Sequence, residues 1–448
     1  MVQIEQHYQY HQHSSLEKAR RGLCLNLSSS AELTQSATLF EGDIQHSEVT
    51  ARSLRVLGDV IESRFYEPAA LNNKRAKHAD PLATVGHDAL RFEGFSSCCS
   101  IYARLDIFSQ GFKARQLSAG TTHVEFGATV KAALAGVYNH SPLSIMLNSA
   151  SPQLVTKKKA LVHKQISLPL RWIKGLAEVQ ALQTDLQPIF TLNRFRALKL
   201  LRQLPSRASK NSVWLECLDN NVVVHHHPYA TGIEFNGAER LQLLKSLIPI
   251  AQSVSLFADP KGQLTTWVVD FGSSTFTLVL SAEPARGLSG EGQLLSHLAN
   301  SNDDLVEQVQ QLLNQQQYLA TDVLSEQLSV TPEAVKSALT ILASRGLVGF
   351  DAYQQRFFYR RLPFDRNLVE QVHPRLLEAR KLLQSQPIKL VLGEQEVITH
   401  IASNDATYQV KLRADEQRCT CQWFAQHQGK RGPCKHILAG QMALREYH

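Results

Sequence analysis

The sequence predicts an α+β, multidomain chain, with a central mixed or antiparallel sheet region, a helix–turn–helix–hairpin unit and a small metal-stabilised finger at the C-terminus. Three observations carry that expectation. Strand-like alternation punctuated by turn residues dominates the middle of the chain. A helix–helix–hairpin pattern occupies residues 321–364. Three of the seven cysteines gather in the last thirty residues.

Read in order, residues 1–45 are polar and His/Gln-rich, and are expected to be a tail or loose lead-in. Residues 46–300 form an α/β region. It opens on a helix near Ser47, where Val49, Leu54, Leu57, Val60 and Ile61 share one side at helical period, and Pro68 ends the pattern. Alternation of Ile101, Ala103, Leu105 and Ile107 predicts a half-buried strand, and Val124 with Phe126 predicts another. Helical spacing over residues 128–137 follows. A further alternation runs through Leu161, His163 and Gln165. Helices are then expected over residues 171–182 and 191–204. Residues 211–229 read as two strands across an Asp-Asn-Asn turn. Residues 253–281 read as three more, separated by Pro-Lys-Gly and Gly-Ser-Ser, and an antiparallel sheet results.

Residues 301–366 form the third unit. After a Gln-rich helix from Asp303, Thr331 is placed to cap a second helix that has Pro332 at its first position and Glu333 near its positive end. Gly346 stops that helix, and residues 348–359 read as a two-stranded wing. This is the winged-helix layout, which serves protein contacts nearly as readily as DNA. The helix is expected to expose Lys336, Ser337, Thr340 and Ser344, a set thin in cations for a groove reader. The wing and its exit are more basic, with Arg356, Arg360, Arg361 and Arg366.

Charge narrows the function classes only a little. The formal net charge is +7, compatible with a polyanionic partner without establishing one. Twelve Lys or Arg against two acidic residues fall within 151–210, including Lys157, Lys158 and Lys159. They offer a phosphate-binding surface, an acidic-protein contact or a plain solvated face. Seven cysteines, two of them adjacent, argue against a disulfide framework and for a reducing compartment. There is no apolar leader and no run of eighteen apolar residues, so the expectation is a soluble cytoplasmic protein.

Residues 385–448 carry the sharpest signal. A hairpin pattern leads into Cys419-Thr-Cys421, and twelve residues later Cys434-Lys-His436 opens a helical stretch. Three thiolates and one imidazole are an accepted tetrahedral Zn²⁺ set, and a single intervening residue lets each pair face one ion. Gly429, Gly432 and Pro433 let the chain turn back between the pairs. With four protein donors no position stays open for catalysis, so one structural Zn²⁺ is expected. His427 is the only competitor for His436 in the connecting segment.

This Cys-x-Cys, Cys-x-His arrangement after a hairpin resembles the SWIM zinc finger, and Cys419, Cys421, Cys434 and His436 match its ligands in identity. More widely, residues 92–106, 120–126, 168–180 and 285–295 resemble bacterial SWIM zinc-finger proteins of the kind found with MoxR-type AAA+ ATPases and von Willebrand factor A domain proteins. The resemblance implies a non-enzymatic adaptor working with such partners. It leaves direct DNA binding open, with Arg356, Arg360, Arg361, Lys430, Arg431 and Lys435 as the cations that would contact phosphate.

Other candidates are weaker. Cys98 or Cys99 with His123 could be imagined as a thiol nucleophile and base, but buried packing is the commoner role of free cysteine. His225, His226 and His227 could hold a metal or simply end a strand at the surface. Gly287, Gly290 and Gly292 lack the pattern of a phosphate-binding loop.

Overall fold

The computed structural model describes residues 6–447 apart from 9, 11, 21, 31–37, 67–79, 149–165, 169, 210, 219–220, 261, 286, 289–291, 293, 314–317, 363–372, 405 and 414–415. Helices and strands are mixed along the chain, with several separate sheets. The alternation expected at Leu161–Gln165 and the basic run Lys157, Lys158 and Lys159 lie outside the described residues, as does Arg366.

An eight-stranded sheet organises the α/β region. Its spatial order is Gln187–Asn193, Ser253–Ala258, Leu264–Asp270, Ser274–Ser281, Ile101–Phe108, Ala89–Phe95, Leu82–Val85 and Gly120–His123, antiparallel at every pairing. The three strands expected within residues 253–281 are present and pair consecutively through tight turns. Gly262 and Gly272 hold those turns at φ of 67° and 87°, which residues with a side chain rarely adopt.

Alternation predicts one buried face for Ile101–Phe108, but the structure buries both. Helix Ser47–Glu62 covers one face. Ile61 Cδ1 comes within 2.9 Å of where a Cβ on Gly94 would sit, so the helix packs closely on the strand at this glycine. The other face carries Arg91, Glu93, Tyr102, Arg104 and Asp106, all nearly inaccessible to solvent. Helix Leu170–Gln183 and the hairpin of Val348–Asp351 and Arg356–Tyr359 cover them. Arg104 donates to the Phe350 carbonyl at 2.7 Å, and the Phe350 N–H donates to Gln180 at 2.6 Å.

Where residues 1–45 are described, much of the segment expected as a tail or lead-in forms strands. Ser15–Ala19, Gly22–Ser28 and Thr38–Ile44 join Leu143–Asn148 and Phe112–Leu117 in a five-stranded mixed sheet, where only Gly22–Ser28 and Leu143–Asn148 run parallel. The reason is legible in Gly22–Ser28: Leu25 and Leu27 are fully buried, at the two-residue period of a strand. The helix expected over residues 191–204 is shorter, Arg194–Gln203. The residues before it pair in the sheet up to Asn193, whose side chain accepts from the Phe195 and Arg196 N–H groups at 3.1 Å each.

In the third unit, helices Thr321–Leu328 and Pro332–Ser344 precede the hairpin, and Tyr318–Leu319 adds a third strand. Thr331 caps the second helix by accepting from the Ala334 N–H at 3.3 Å. Its expected exposed face is a correction. Thr340 and Ser344 are buried, Lys336 pairs with Asp185 and the Thr184 carbonyl, and the Ser337 hydroxyl meets His297 at 3.3 Å. This helix lies against the body of the molecule, so the side chains that would enter a groove are spent on internal contacts.

The last sheet runs Leu390–Leu392, Val397–Ser403, Ala406–Leu412 and Gln417–Cys419, antiparallel throughout. Helix Lys435–Tyr447 packs on it and on helix Pro374–Ser385. No helix among the described residues is long and apolar enough to cross a membrane.

Candidate metal centre

Four short elements deliver the donors. Pairing of Val410 with Cys419 sets Cys419 at the end of the strand Gln417–Cys419. Cys421 then caps helix Gln422–His427, its Sγ accepting from the Phe424 N–H at 3.4 Å. Gln428, Gly429 and Gly432, at φ of 44°, 76° and 70°, fold the chain back. Cys434 precedes helix Lys435–Tyr447 and accepts from the Ile437 N–H at 3.5 Å, while His436 sits in the first helical turn. The Cys421 N–H donates to Cys419 Sγ at 3.4 Å. Each sulfur therefore receives a backbone donor, an arrangement that favours thiolate.

The four ligating atoms, from Cys419, Cys421, Cys434 and His436, all lie within 4.8 Å of one another, and all four residues are buried. His436 Nδ1 is 3.8 Å from Cys419 Sγ, and the ring stacks on Tyr408 at 4.4 Å. Its Nε2 is buried with no hydrogen-bond partner among the described residues, so nothing else engages the polar atoms of the ring. Hydrogen bonding with Cys434, then burial, pushes the Cys419 thiol up. Burial raises Cys421 as well, while the hydrogen bond from Cys419 draws Cys434 down to about 4. Bare thiols thus share protons and resist a second ionisation, a repulsion that a divalent cation removes. Soft sulfur and one imidazole, with no carboxylate in the group among the described residues, fit Zn²⁺. His427 does not join the group: its ring sits edge-on to Trp423 at 4.2 Å.

Arg375 is a residue the sequence reading missed. From helix Pro374–Ser385 it donates to the carbonyls of Arg431 at 2.6 Å and Pro433 at 2.9 Å, and its guanidinium lies 4.7 Å from the Trp423 ring centroid. It ties the loop before Cys434 to the rest of the molecule. No local spacing marks it, because its partners are backbone atoms some sixty positions away, 56 and 58 residues along the chain.

The remaining candidates separate clearly. Arg360 is a correction. It is fully buried, with its guanidinium 2.5–2.6 Å from both Glu93 oxygens and donating to the Leu176 carbonyl at 3.0 Å, so it presents nothing to phosphate. Arg361 and Lys430 are exposed, and Arg356 is half-buried. Arg431 lies over Trp423 at 5.6 Å, and Lys435 is 3.9 Å from Glu378. All seven cysteines are free thiols. Cys98 and Cys99 are buried. Burial raises the Cys98 thiol, but hydrogen bonds from Ser100, the Phe65 N–H and Ser96 outweigh it and the net shift is downward. His123 belongs to the edge strand Gly120–His123 and is buried. His225 meets Glu216 at 2.9 Å and stacks on Tyr229 at 4.0 Å, so the triplet does have a carboxylate beside it; His226 and His227 are exposed. In the glycine-rich loop the Gly292 N–H donates to buried Glu178 at 3.1 Å, so that donor is already taken by a carboxylate.

Comparison with known proteins agrees with this geometry. Residues 408–439 match the SWIM zinc finger family model, so the chain carries a zinc-binding SWIM domain. No curated protein matches the chain. Among solved structures, Proliferating Cellular Nuclear Antigen from Entamoeba histolytica is a remote likeness, with 12% identity and a TM-score of 0.34 over 55% of this chain and 98% of that one.

Proposed function

We propose that the protein is a non-enzymatic adaptor whose C-terminal finger is built on one structural Zn²⁺ held by Cys419, Cys421, Cys434 and His436. The carrying observation is the buried convergence of four protein donors within 4.8 Å, a full tetrahedral set with no position left for substrate. Residues 301–366 act as a winged-helix-like connector, a reading supported by the burial of Thr340 and Ser344 and the pairing of Lys336 with Asp185. The partners implied by the wider resemblance are a MoxR-type AAA+ ATPase and a von Willebrand factor A protein, and any nucleotide hydrolysis belongs to them.

A second reading, direct DNA binding, draws support from the exposure of Lys430 and Arg361. Pull-down of the zinc-loaded chain at physiological salt, with and without nuclease, separates the two. Protein partners that survive nuclease support the adaptor. Partners lost on nuclease, together with salt-sensitive binding to unrelated duplexes, would replace it with the DNA reading.

A further inference from the structure

A cavity of about 490 Å³ lies where the third unit, helix Pro374–Ser385 and the C-terminal helix meet, away from the zinc donors. Three guanidiniums from three different elements line it. Arg345 follows helix Pro332–Ser344, Arg380 stands on helix Pro374–Ser385, and Arg445 is on the last turn of helix Lys435–Tyr447. Two carboxylates, Asp303 and Glu446, face them. Asp303 is 3.9 Å from Arg345 and 3.8 Å from Arg445, beyond hydrogen-bond reach. These are charge contacts, and Arg445 also donates to the Ser301 hydroxyl in the cavity wall at 3.1 Å. Leu298, Leu383 and Met442 supply an apolar wall.

We propose that this cavity is a binding site for a small anion, a carboxylate or phosphate group carried on an apolar body. Arginine forks match both oxyanions through paired N–H donors. The volume falls within the range of small-molecule pockets, where an apolar wall with a few convergent polar groups is the usual construction. Asp303 in this view is a built-in competitor that offsets the mutual repulsion of Arg345 and Arg445 until a better-placed anion enters. The alternative is that the arginines only pin helices together through Asp303. The two predict opposite responses to removing that carboxylate.

The test is isothermal titration of the full-length, zinc-loaded chain with phenyl phosphate, with 3-phenylpropionate and with the neutral 3-phenylpropanamide, at fixed ionic strength. Saturable binding of at least one anion and none of the amide is expected, and the stronger anion identifies the source as phosphate or carboxylate. R380A and R445A should each weaken binding by about tenfold or more, as expected for losing a charged hydrogen-bond donor. D303N should tighten it. R413A, whose guanidinium pairs with Glu396 elsewhere, should leave it unchanged. Should R380A not fold, the half-exposed Arg445 carries the test, with R445Q beside R445A. Failure of both anions to saturate, equal weakening by R413A, or weaker binding in D303N overturns the proposal.

Discussion

At the scale of single residues, the finger depends on four donors and one arginine. Replacing any one of Cys419, Cys421, Cys434 or His436 leaves three donors converging with no fourth. Because the donors come from a strand end, a short helix and the start of helix Lys435–Tyr447, losing the metal removes folding energy that joins them. C434S and H436A are therefore expected to drop bound zinc from near one equivalent to a small fraction, and to expose Trp423, read by elemental analysis and tryptophan fluorescence. Retention of full zinc in C434S would remove that thiol from the site. Arg375 makes a different prediction, because it donates to the loop carbonyls of Arg431 and Pro433 and supplies no metal ligand itself. R375A should keep zinc stoichiometry yet destabilise the finger by about 1.5–3 kcal/mol, the worth of hydrogen bonds to a charged donor. Faster zinc loss to a competing chelator is the observable, and unchanged loss would confine Arg375 to a passive contact. The donors were readable in the sequence because one intervening residue in each pair and a glycine-rich return leave few other arrangements. Arg375 was not readable, since nothing in its neighbourhood announces two distant carbonyls.

At the scale of elements, the hairpin of Val348–Asp351 and Arg356–Tyr359 is fastened to the eight-stranded sheet by charge. Arg360 meets Glu93, which also accepts from Tyr102 at 2.6 Å. Arg104 meets Asp106 at 2.8 Å and Asp351 at 3.8 Å, while Arg91 and Arg104 flank the Phe358 ring at 4.0 and 4.9 Å. Burial works against ionised Glu93, but the charge and hydrogen bonds of Arg360, with the Tyr102 hydroxyl, hold its carboxyl below the usual range. Breaking one side of such a buried pair strands the other charge, at about 3–5 kcal/mol. R360M is expected to lose that much in urea denaturation. R360M with E93Q should recover part of it, and a double mutant no more stable than R360M would show that the pair is not the fastening. Periodicity found the strands but misjudged this face. Residues 101–108 alternate apolar with polar, which ordinarily marks a solvated side. Here the polar side is dry because complementary charges from the neighbouring strand and hairpin meet it. The same blind spot hid the buried sides of helix Pro332–Ser344: Ser and Thr read as surface until a partner element covers them.

At the scale of the whole molecule, the sheet order and the partners of the N-terminal strands lay beyond local patterns, because a strand shows its period but not its neighbour. Gly22–Ser28 pairs in parallel with Leu143–Asn148, across more than a hundred intervening residues. What this packing does to the chain as a unit is visible in two buried histidines far apart in the fold, His123 on the sheet edge and His373 ahead of helix Pro374–Ser385. Burial lowers both to about 3, helped at His373 by the charges of Lys174 and Arg375, and opposed at His123 by a backbone hydrogen bond involving Asp80. Unfolded histidine titrates near 6.5. Between pH about 6.5 and about 3 the unfolded chain therefore binds more protons than the folded one, and stability rises with pH across that window. It is fully present above the unfolded value and is lost progressively as pH falls toward 3, by at most about 1.4 kcal/mol per pH unit for each histidine. Acid also releases zinc, because thiolates must stay ionised to hold it, so the two contributions have to be separated. H123Q reports on the body and H373Q on the junction beside the finger. Each should flatten the stability slope between pH 7 and 5 in equilibrium denaturation, with zinc content measured at every point. An unchanged slope in both variants, at constant zinc, would assign the acid sensitivity to the metal site alone.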